Sequence, residues 1–324
     1  MMAQTTDNHV TVLWARGALQ DSSREFMVPI DSSMVTAIFT LSTDNRQAKM
    51  EVFGPSDRPL SSDSHADITD FTCGRYLILK NPSAGNYRVQ LAGSGHFWLS
   101  VGGKSQIFLH SVEFVERGGR PGHEGMFPIQ GEPLLGRPAA LEASISGPAK
   151  QVTFEFVTPE NESHQNFGLN TVHRDSDDQE FEGEVQLPAE PFRIVATGVD
   201  ELGHPFRRVH EGLVNPTTIA LAPVELPDLH AGRASILTFR LSNLGNADKF
   251  RLRAVCGKPW PTQLSSSEVS LGHGESTRIT VEVSVPEGTP TNTGGDFVLS
   301  VSSENDRGIG NSFVRHFSIE QAVK

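Results

Sequence analysis

Apolar residues recur at every second position along most of this chain, and helical spacing is nearly absent. MVTAIFTL (34–41), QAKMEVF (47–53), NYRVQL (86–91) and HFWLSV (96–101) each read as a short strand with one buried face. Turn clusters such as SSDSHAD and AGSG separate them. In QIFLHSVEFVER (106–117) the apolar phase slips between Leu109 and Val112, which predicts a bulge or a crossing between domains. A second set comprises AALEASIS, QVTFEFV (151–157), FEGEVQL (181–187) and PFRIVATGVD (191–200). A third comprises SILTFRLSN (235–243), KFRLRAV (249–255), STRITVEVSV (276–285), DFVLSVSS (296–303) and SFVRHFSI (312–319).

Antiparallel sandwiches place a strand roughly every 8–12 residues. The pattern therefore predicts an all-β chain of three tandem antiparallel β-sandwich domains, at 1–110, 111–214 and 215–324. The Gly- and Pro-rich stretches 118–138 and 215–232 read as connectors between them, which argues against one large barrel. Within the third block, Leu244-Gly245-Asn246 and LGHGE (271–275) read as turns. Phe250, Leu252 and Val255 read as core, and Pro286 as the residue that ends a strand. This block resembles the Ig-like or fibronectin-like domains found in tandem on surface and secreted proteins.

The order of the blocks carries a wider resemblance. FMVPIDSSMVTAIFTLS, AKMEVFGPSDRPL and YLILKNPSAGNYRVQLAGSG resemble the galactose-binding-like β-sandwich that follows the von Willebrand A domain in hemicentins and related von Willebrand factor A domain-containing proteins. FPIQGEPLLGRPAALEASISG and PFRIVATGVDELGHPFRRV resemble the opening and closing of that family's next, Ig-like block. The resemblance implies a galactose-binding-like jelly roll followed by two Ig/fibronectin-like sandwiches, serving adhesion outside the cell. It departs from the family in lacking the von Willebrand A domain. Asp31-Ser32-Ser33 is not that domain's D-x-S-x-S metal motif, since Val35 stands where the second serine belongs.

Composition narrows the function without naming it. The 324 residues carry 39 acidic and 27 basic side chains, a formal net charge of -12, and no run of Lys or Arg, so a nucleic-acid groove is not expected. The two cysteines, Cys73 and Cys256, lie in different blocks and read as small buried apolar residues rather than a disulfide. MMAQTTDNHVTVLW has neither a basic n-region nor an apolar h-region, and no stretch has the apolar length of a membrane span.

Candidate chemistry is sparse. Tyr87, His96 and Trp98 offer an aromatic platform for a sugar, although core packing is the default for sandwich aromatics and a fold name confers no binding. Alternation places Tyr87 and Val89 on one face, and sets Phe97 and Leu99 opposite His96 and Trp98. Asp175, Asp177, Asp178 and Glu180 are oxygen ligands at short spacing that suit Ca²⁺, but without the glycine and distal glutamate of an EF-hand loop they equally form a solvated acidic hairpin. The loop from Asp63 to Asp70 is a weaker case. The twelve histidines form no H-E-x-x-H, no G-x-S-x-G is present, and Gly102-Gly103-Lys104-Ser105 lacks a phosphate loop's upstream glycine. Asn161-Glu162-Ser163 is a lone glycosylation sequon.

The sequence thus predicts a non-catalytic extracellular or cell-surface interaction module, needing no cofactor. Its partner is expected to be a protein bound through loops or sheet edges, within a larger von Willebrand A-containing system. The alternatives are a carbohydrate-binding accessory unit acting on surface glycans through the first domain, and, more weakly, the appendage region of a secreted hydrolase.

Overall fold

The computed structural model describes residues 9–63, 65–119, 122–174, 178–306 and 308–319. Among them all regular structure is strand, arranged as tandem antiparallel β-sandwiches. The chain divides into two compact units, Met1–Val115 with Ala140–Val214, and Glu116–Ala139 with Asn215–Lys324. The first unit holds two large hydrophobic clusters and a small third one of Val157, Val195 and Val209, and the second unit holds one large cluster.

The first sandwich comprises β1 (His9–Ile30), β2 (Thr36–Thr43), β3 (Lys49–Phe53), β4 (Ala66–Phe71), β5 (Gly74–Lys80) and β6 (Gly85–Lys104). β1 and β6 pair along their whole length, from His9↔Lys104 to Ile30↔Gly85. β2 joins the C-terminal half of β6 and β3 joins the N-terminal half. One long bent ribbon therefore supplies both layers, folded over Val12, Val28, Phe39, Val89 and Phe97. The bend lies where the register slips between Gln20 and Ser22, with Asp21 at φ 49 facing Gly93 at φ 122 and Gly95 at φ 98. The AGSG segment predicted as a turn is thus a bend inside one strand. Its glycines adopt positive φ without a Cβ clash, and the alternation of core residues continues on both sides.

The second sandwich comprises β7 (Phe108–Gly118), β8 (Gly125–Pro128), β9 (Ala139–Ser146), β10 (Ala149–Val157), β11 (Ser163–Phe167), β12 (Asn170–Arg174), β13 (Asp178–Val185), β14 (Arg193–Asp200) and β15 (Pro205–Val209). Its sheets run β11-β10-β14-β15 and β12-β13-β9-β7, with β8 on the outer end of β7. Five phenylalanines fill the space between them: Phe154, Phe156, Phe181, Phe192 and Phe206. The Phe156 and Phe192 rings lie 4.3 Å apart between centroids. The phase slip expected in 106–117 is a bulge between Leu109 and Ser111.

The third sandwich comprises β16 (Ile219–Glu225), β17 (Ala234–Asn243), β18 (Asp248–Cys256), β19 (Thr262–Leu264), β20 (Glu268–Leu271), β21 (Ser276–Ser284), β22 (Gly294–Ser303) and β23 (Gly310–Ser318), in sheets β16-β17-β21-β19 and β20-β18-β22-β23. Phe239, Phe250, Phe297 and Phe313 centre its core. Phe250 and Leu252 face inward as expected, but Val255 is 42 % exposed, because alternation along β18 turns it to the opposite face. The predicted turn at Leu244-Gly245-Asn246 is held by buried Asn243, whose Nδ2 donates to the Asn246 carbonyl at 2.7 Å while its Oδ1 accepts from Gly245 N–H at 2.9 Å.

Two expected connectors are structured parts of the second unit. β16 lies inside 215–232; Ile219 and Leu221 alternate into the core and Pro223 is tolerated on an edge strand. Residues 132–135 hold the start of that strand: Leu135 N–H donates to the Thr217 carbonyl at 2.9 Å, and Thr217 N–H to the Pro133 carbonyl at 3.0 Å.

Gly93 provides a test of the bend. A Cβ there would stand 2.3 Å from the Gln47 carbonyl oxygen, at a positive φ. Gly93→Ala is expected to destabilise the first sandwich by about 1–3 kcal/mol in urea unfolding; an unchanged midpoint would mean the bend tolerates a side chain.

Candidate functional site

The nominated aromatics do not converge. Tyr87 is 3 % exposed, its ring 6.1 Å from that of Phe39 and its hydroxyl donating to the Ser83 carbonyl at 3.1 Å. Trp98 is 46 % exposed on the other face of β6, beside Arg16 and Ser42 in register. The expectation that Tyr87 shares a sugar platform is corrected: its alternation phase sends it into the core and leaves Trp98 outside. His96 is exposed beyond the bend and held by Asp44, with ring Nδ1 2.7 Å from Oδ2 and backbone N–H donating to Oδ1 at 2.8 Å.

Of the acidic quartet, Asp175 and Asp177 lie outside the described residues. Asp178 and Glu180 are exposed on β13, on one face of the strand. Among the described residues no three His, Cys, Asp or Glu side chains gather as a metal site. Both cysteines are free, and Cys73 is exposed rather than buried, since it sits in the turn between β4 and β5 instead of a strand.

Charge is concentrated instead where the second sandwich meets the first, inside the first unit. β15 packs against β1, and Phe206, Arg207, Arg208 and Val209 are buried on both faces of the strand. Phe206 faces the second sandwich's own core, whereas Val209 joins Val157 and Val195 in a separate apolar patch. Arg208 reaches out of the core. Its Nη2 donates to Asp31 Oδ2 at 2.6 Å and to Ser105 Oγ at 2.6 Å, and its Nε donates to the Ile107 carbonyl at 2.7 Å. Ser33 Oγ and Ser105 Oγ donate to Asp31 Oδ1 at 2.5 Å and 3.1 Å.

Both members of the pair are buried, at 1 % and 0 % side-chain exposure. Burial alone would raise the Asp31 pKa. The Arg208 charge and the bonds from Arg208, Ser33 and Ser105 outweigh it and hold the carboxyl below its ordinary value, hence ionised. Asp200 extends the joint, accepting from Ser32 N–H at 2.7 Å and, through its other oxygen, from His204 N–H at 2.8 Å.

The joint continues along β1. Arg207 Nη1 donates to the Val12 carbonyl at 2.8 Å and Nη2 to Asn161 Oδ1 at 2.8 Å, with Glu155 at 3.4 Å. Arg193 lies 4.3 Å from the Trp14 ring centroid. Arg16 N–H donates to the Pro159 carbonyl at 3.2 Å, and Arg24 pairs with Glu162 at 3.1 Å.

Two clefts open on this joint. One of about 260 Å³ is lined by His9, Phe108, His110, Arg208, His210 and Glu211. There His110 Nε2 lies 2.6 Å from Ser146 Oγ, while His210 Nδ1 is buried without a hydrogen-bond partner among the described residues and burial pushes that imidazole's pKa down. The other, about 420 Å³, includes Arg24, Met27, Glu155, Asn161, Glu162 and Arg207. It places the sequon asparagine in the joint, bonded to Arg207.

Sequence reasoning missed these residues. In the sequence Asp31 stands out only against the D-x-S-x-S motif, and PFRRV only as the end of a stretch that resembles the closing of a family block. The usable signal was Arg207-Arg208 inside a strand following RIVATGVD, since consecutive side chains point to opposite faces and both faces there carry charge.

Residues 222–315 match the family model described as the VWA7 Ig-like domain. The third sandwich is thus similar to an Ig-like region associated with von Willebrand A proteins. No curated protein matches the chain. Among solved structures, native E. coli alpha-2-macroglobulin is 12 % identical with a TM-score of 0.31, over 97 % of this chain and 23 % of that one. Bacillus licheniformis lipase BlEst2 in its propeptide form is 12 % identical with a TM-score of 0.23, over 60 % of this chain and 43 % of that one. The mouse nectin-like molecule 4 ectodomain is 9 % identical with a TM-score of 0.22, over 94 % of this chain and 97 % of that one. The chain therefore spans less than half the length of the first two.

Breaking the pair from one side, by Arg208→Met or Asp31→Leu, is expected to cost about 3–5 kcal/mol, because a buried charge is left unmatched. The double substitution is expected to recover most of that loss. Urea unfolding followed by fluorescence checks it, and additive losses in the double variant would contradict the pairing.

The pH dependence has two windows. Asp31 titrates lower in the fold than its unfolded value of about 3.9, so its contribution is full above that value and is lost as pH falls through the folded pKa. His210 also titrates lower in the fold, so the unfolded chain takes up its proton first. Stability is expected to fall as pH drops below the unfolded value of about 6.5. His210→Gln is expected to flatten the second window alone in a pH series of urea midpoints.

Proposed function

We propose that this chain is a non-catalytic interaction module of tandem β-sandwiches, working outside the cell or at its surface. The observation that carries the reading is the outer face of β16-β17-β21-β19 in the third sandwich. Ile236 is 54 % exposed and Val224 46 % exposed there, with Arg240 and Arg278 also exposed and small side chains between. Aliphatic anchors beside arginine on a flat sheet suit a protein partner. The Ig-like match over 222–315 covers this face and supports the same reading. In its finer form the proposal takes the first sandwich as the galactose-binding-like block of hemicentin-type proteins, the whole acting within a von Willebrand A-containing adhesion system.

A carbohydrate-binding reading is favoured by one observation, the exposure of Trp98, which with His96 remains available to a sugar after Tyr87 is assigned to the core. On a glycan array, Trp98→Ala separates the readings: sugar binding lost with unfolding unchanged favours this alternative.

The protein-partner reading is tested by cross-linking the tagged chain to intact cells and identifying the products by mass spectrometry. A discrete set of surface proteins is expected, absent with Ile236→Glu. Products unchanged by that substitution, or turnover of an ester or glycoside panel by the chain, would overturn it.

A further inference from the structure

We propose that Arg240 and Arg278 form an oxyanion-binding site on the third sandwich, taking a doubly charged tetrahedral group of the phosphate or sulfate class. The two residues stand directly opposite each other on β17 and β21. Like charges at such a position repel across about 5 Å between Cβ atoms and destabilise the sheet. Other cations of this sandwich have acidic partners, Arg251 with Glu304 at 2.8 Å, Lys249 with Glu268 at 2.6 Å and Arg315 with Asp228 at 3.3 Å, and Arg253 is exposed without one among the described residues but has no second arginine opposite it in register. Arg240 and Arg278 have no acidic partner among the described residues, and this in a chain of net charge -12.

The surroundings leave the pair open. Ala222 flanks Arg240 on β16, the Ser242–Ser276 row lies on one side and the Thr238–Thr280 row on the other. Ser276 Oγ donates to Ser242 Oγ at 2.7 Å, which leaves lone pairs and a hydroxyl proton to complete the site. The carboxylates nearest by register, Glu225 and Glu282, ion-pair with neither arginine. A hollow of about 180 Å³ lies over the pair, lined by Val224, Arg240, Ser276 and Arg278 among others. Two guanidinium forks carry two positive charges and parallel N–H donors, the complement of a dianionic oxyanion. A single carboxylate would neutralise half of that charge.

Two sources present this chemistry: the free inorganic ion, and the same group carried as an ester on a partner. The second deepens the interaction reading, yet the site stands without it, since its test uses small anions alone. Full-length chain in low-salt chloride buffer is titrated calorimetrically with inorganic sulfate, inorganic phosphate and O-phosphoserine. Saturable binding is expected, weakened about tenfold by Arg240→Gln or Arg278→Gln and abolished in the double variant. It is expected to be unaffected by Arg253→Gln, an exposed arginine on the other sheet. O-phosphoserine binding as well as the free ions do assigns the site to a carried group; exclusion of O-phosphoserine assigns it to the inorganic ion. The repulsion gives a second readout: Arg278→Gln is expected to raise the melting temperature in chloride while removing the rise that sulfate produces in the parent chain. Absence of saturable binding, binding that survives in the double variant, or equal weakening by Arg253→Gln would overturn the proposal.

Discussion

The buried ion pair between Arg208 and Asp31 is the constraint on which the first unit depends. An ionised pair removed from water gains little net stability over an apolar pair of similar volume, but it tolerates no change of partner or position. Here the fork donates to Asp31, Ser105 and the Ile107 carbonyl, with Nη1 on the Arg207 carbonyl, so three points of the first sandwich and its exit strand are tied to one side chain of the second. The joint selects one orientation, and the apolar patch of Val157, Val195 and Val209 accompanies it. Burial on both faces of β15 follows directly, because the strand serves its own core on one side and the joint on the other.

This explains why the architecture was legible in the sequence and the joint was not. Period-two alternation separates two faces: it set Tyr87 with Val89, and Phe97 with Leu99 opposite His96 and Trp98, but it left to the structure which of the latter faces is buried, and that is the one carrying Phe97 and Leu99. It cannot distinguish a glycine bend from a turn, so the ribbon formed by β6 read as two strands. Residue type misled at Val255, an apolar residue that alternation turns outward, and at Cys73, where a turn exposes a residue type that is usually buried. Composition hid β16, because three prolines between 216 and 227 resemble a linker although Ile219 and Leu221 anchor a strand.

The charged residues were the hardest to read, because each gains its role from a partner far along the chain. Asp31 and Arg208 are 177 positions apart, and no local pattern announces that they meet. The same holds for Arg240 and Arg278, ordinary solvated arginines until the register of β17 on β21 sets them side by side. Buried charge in the first unit fixes one sandwich on another, and exposed charge in the third sandwich is left free for a ligand.

Native-state hydrogen exchange in rising denaturant tests the central claim most directly, since it reports the opening free energy of each core separately. If the ion pair makes one body of the first two sandwiches, the slowest amides of β6 and of β14 open with the same free energy and the same denaturant dependence. They separate into two distinct openings in Arg208→Met. Different opening free energies for β6 and β14 in the parent chain would contradict the account.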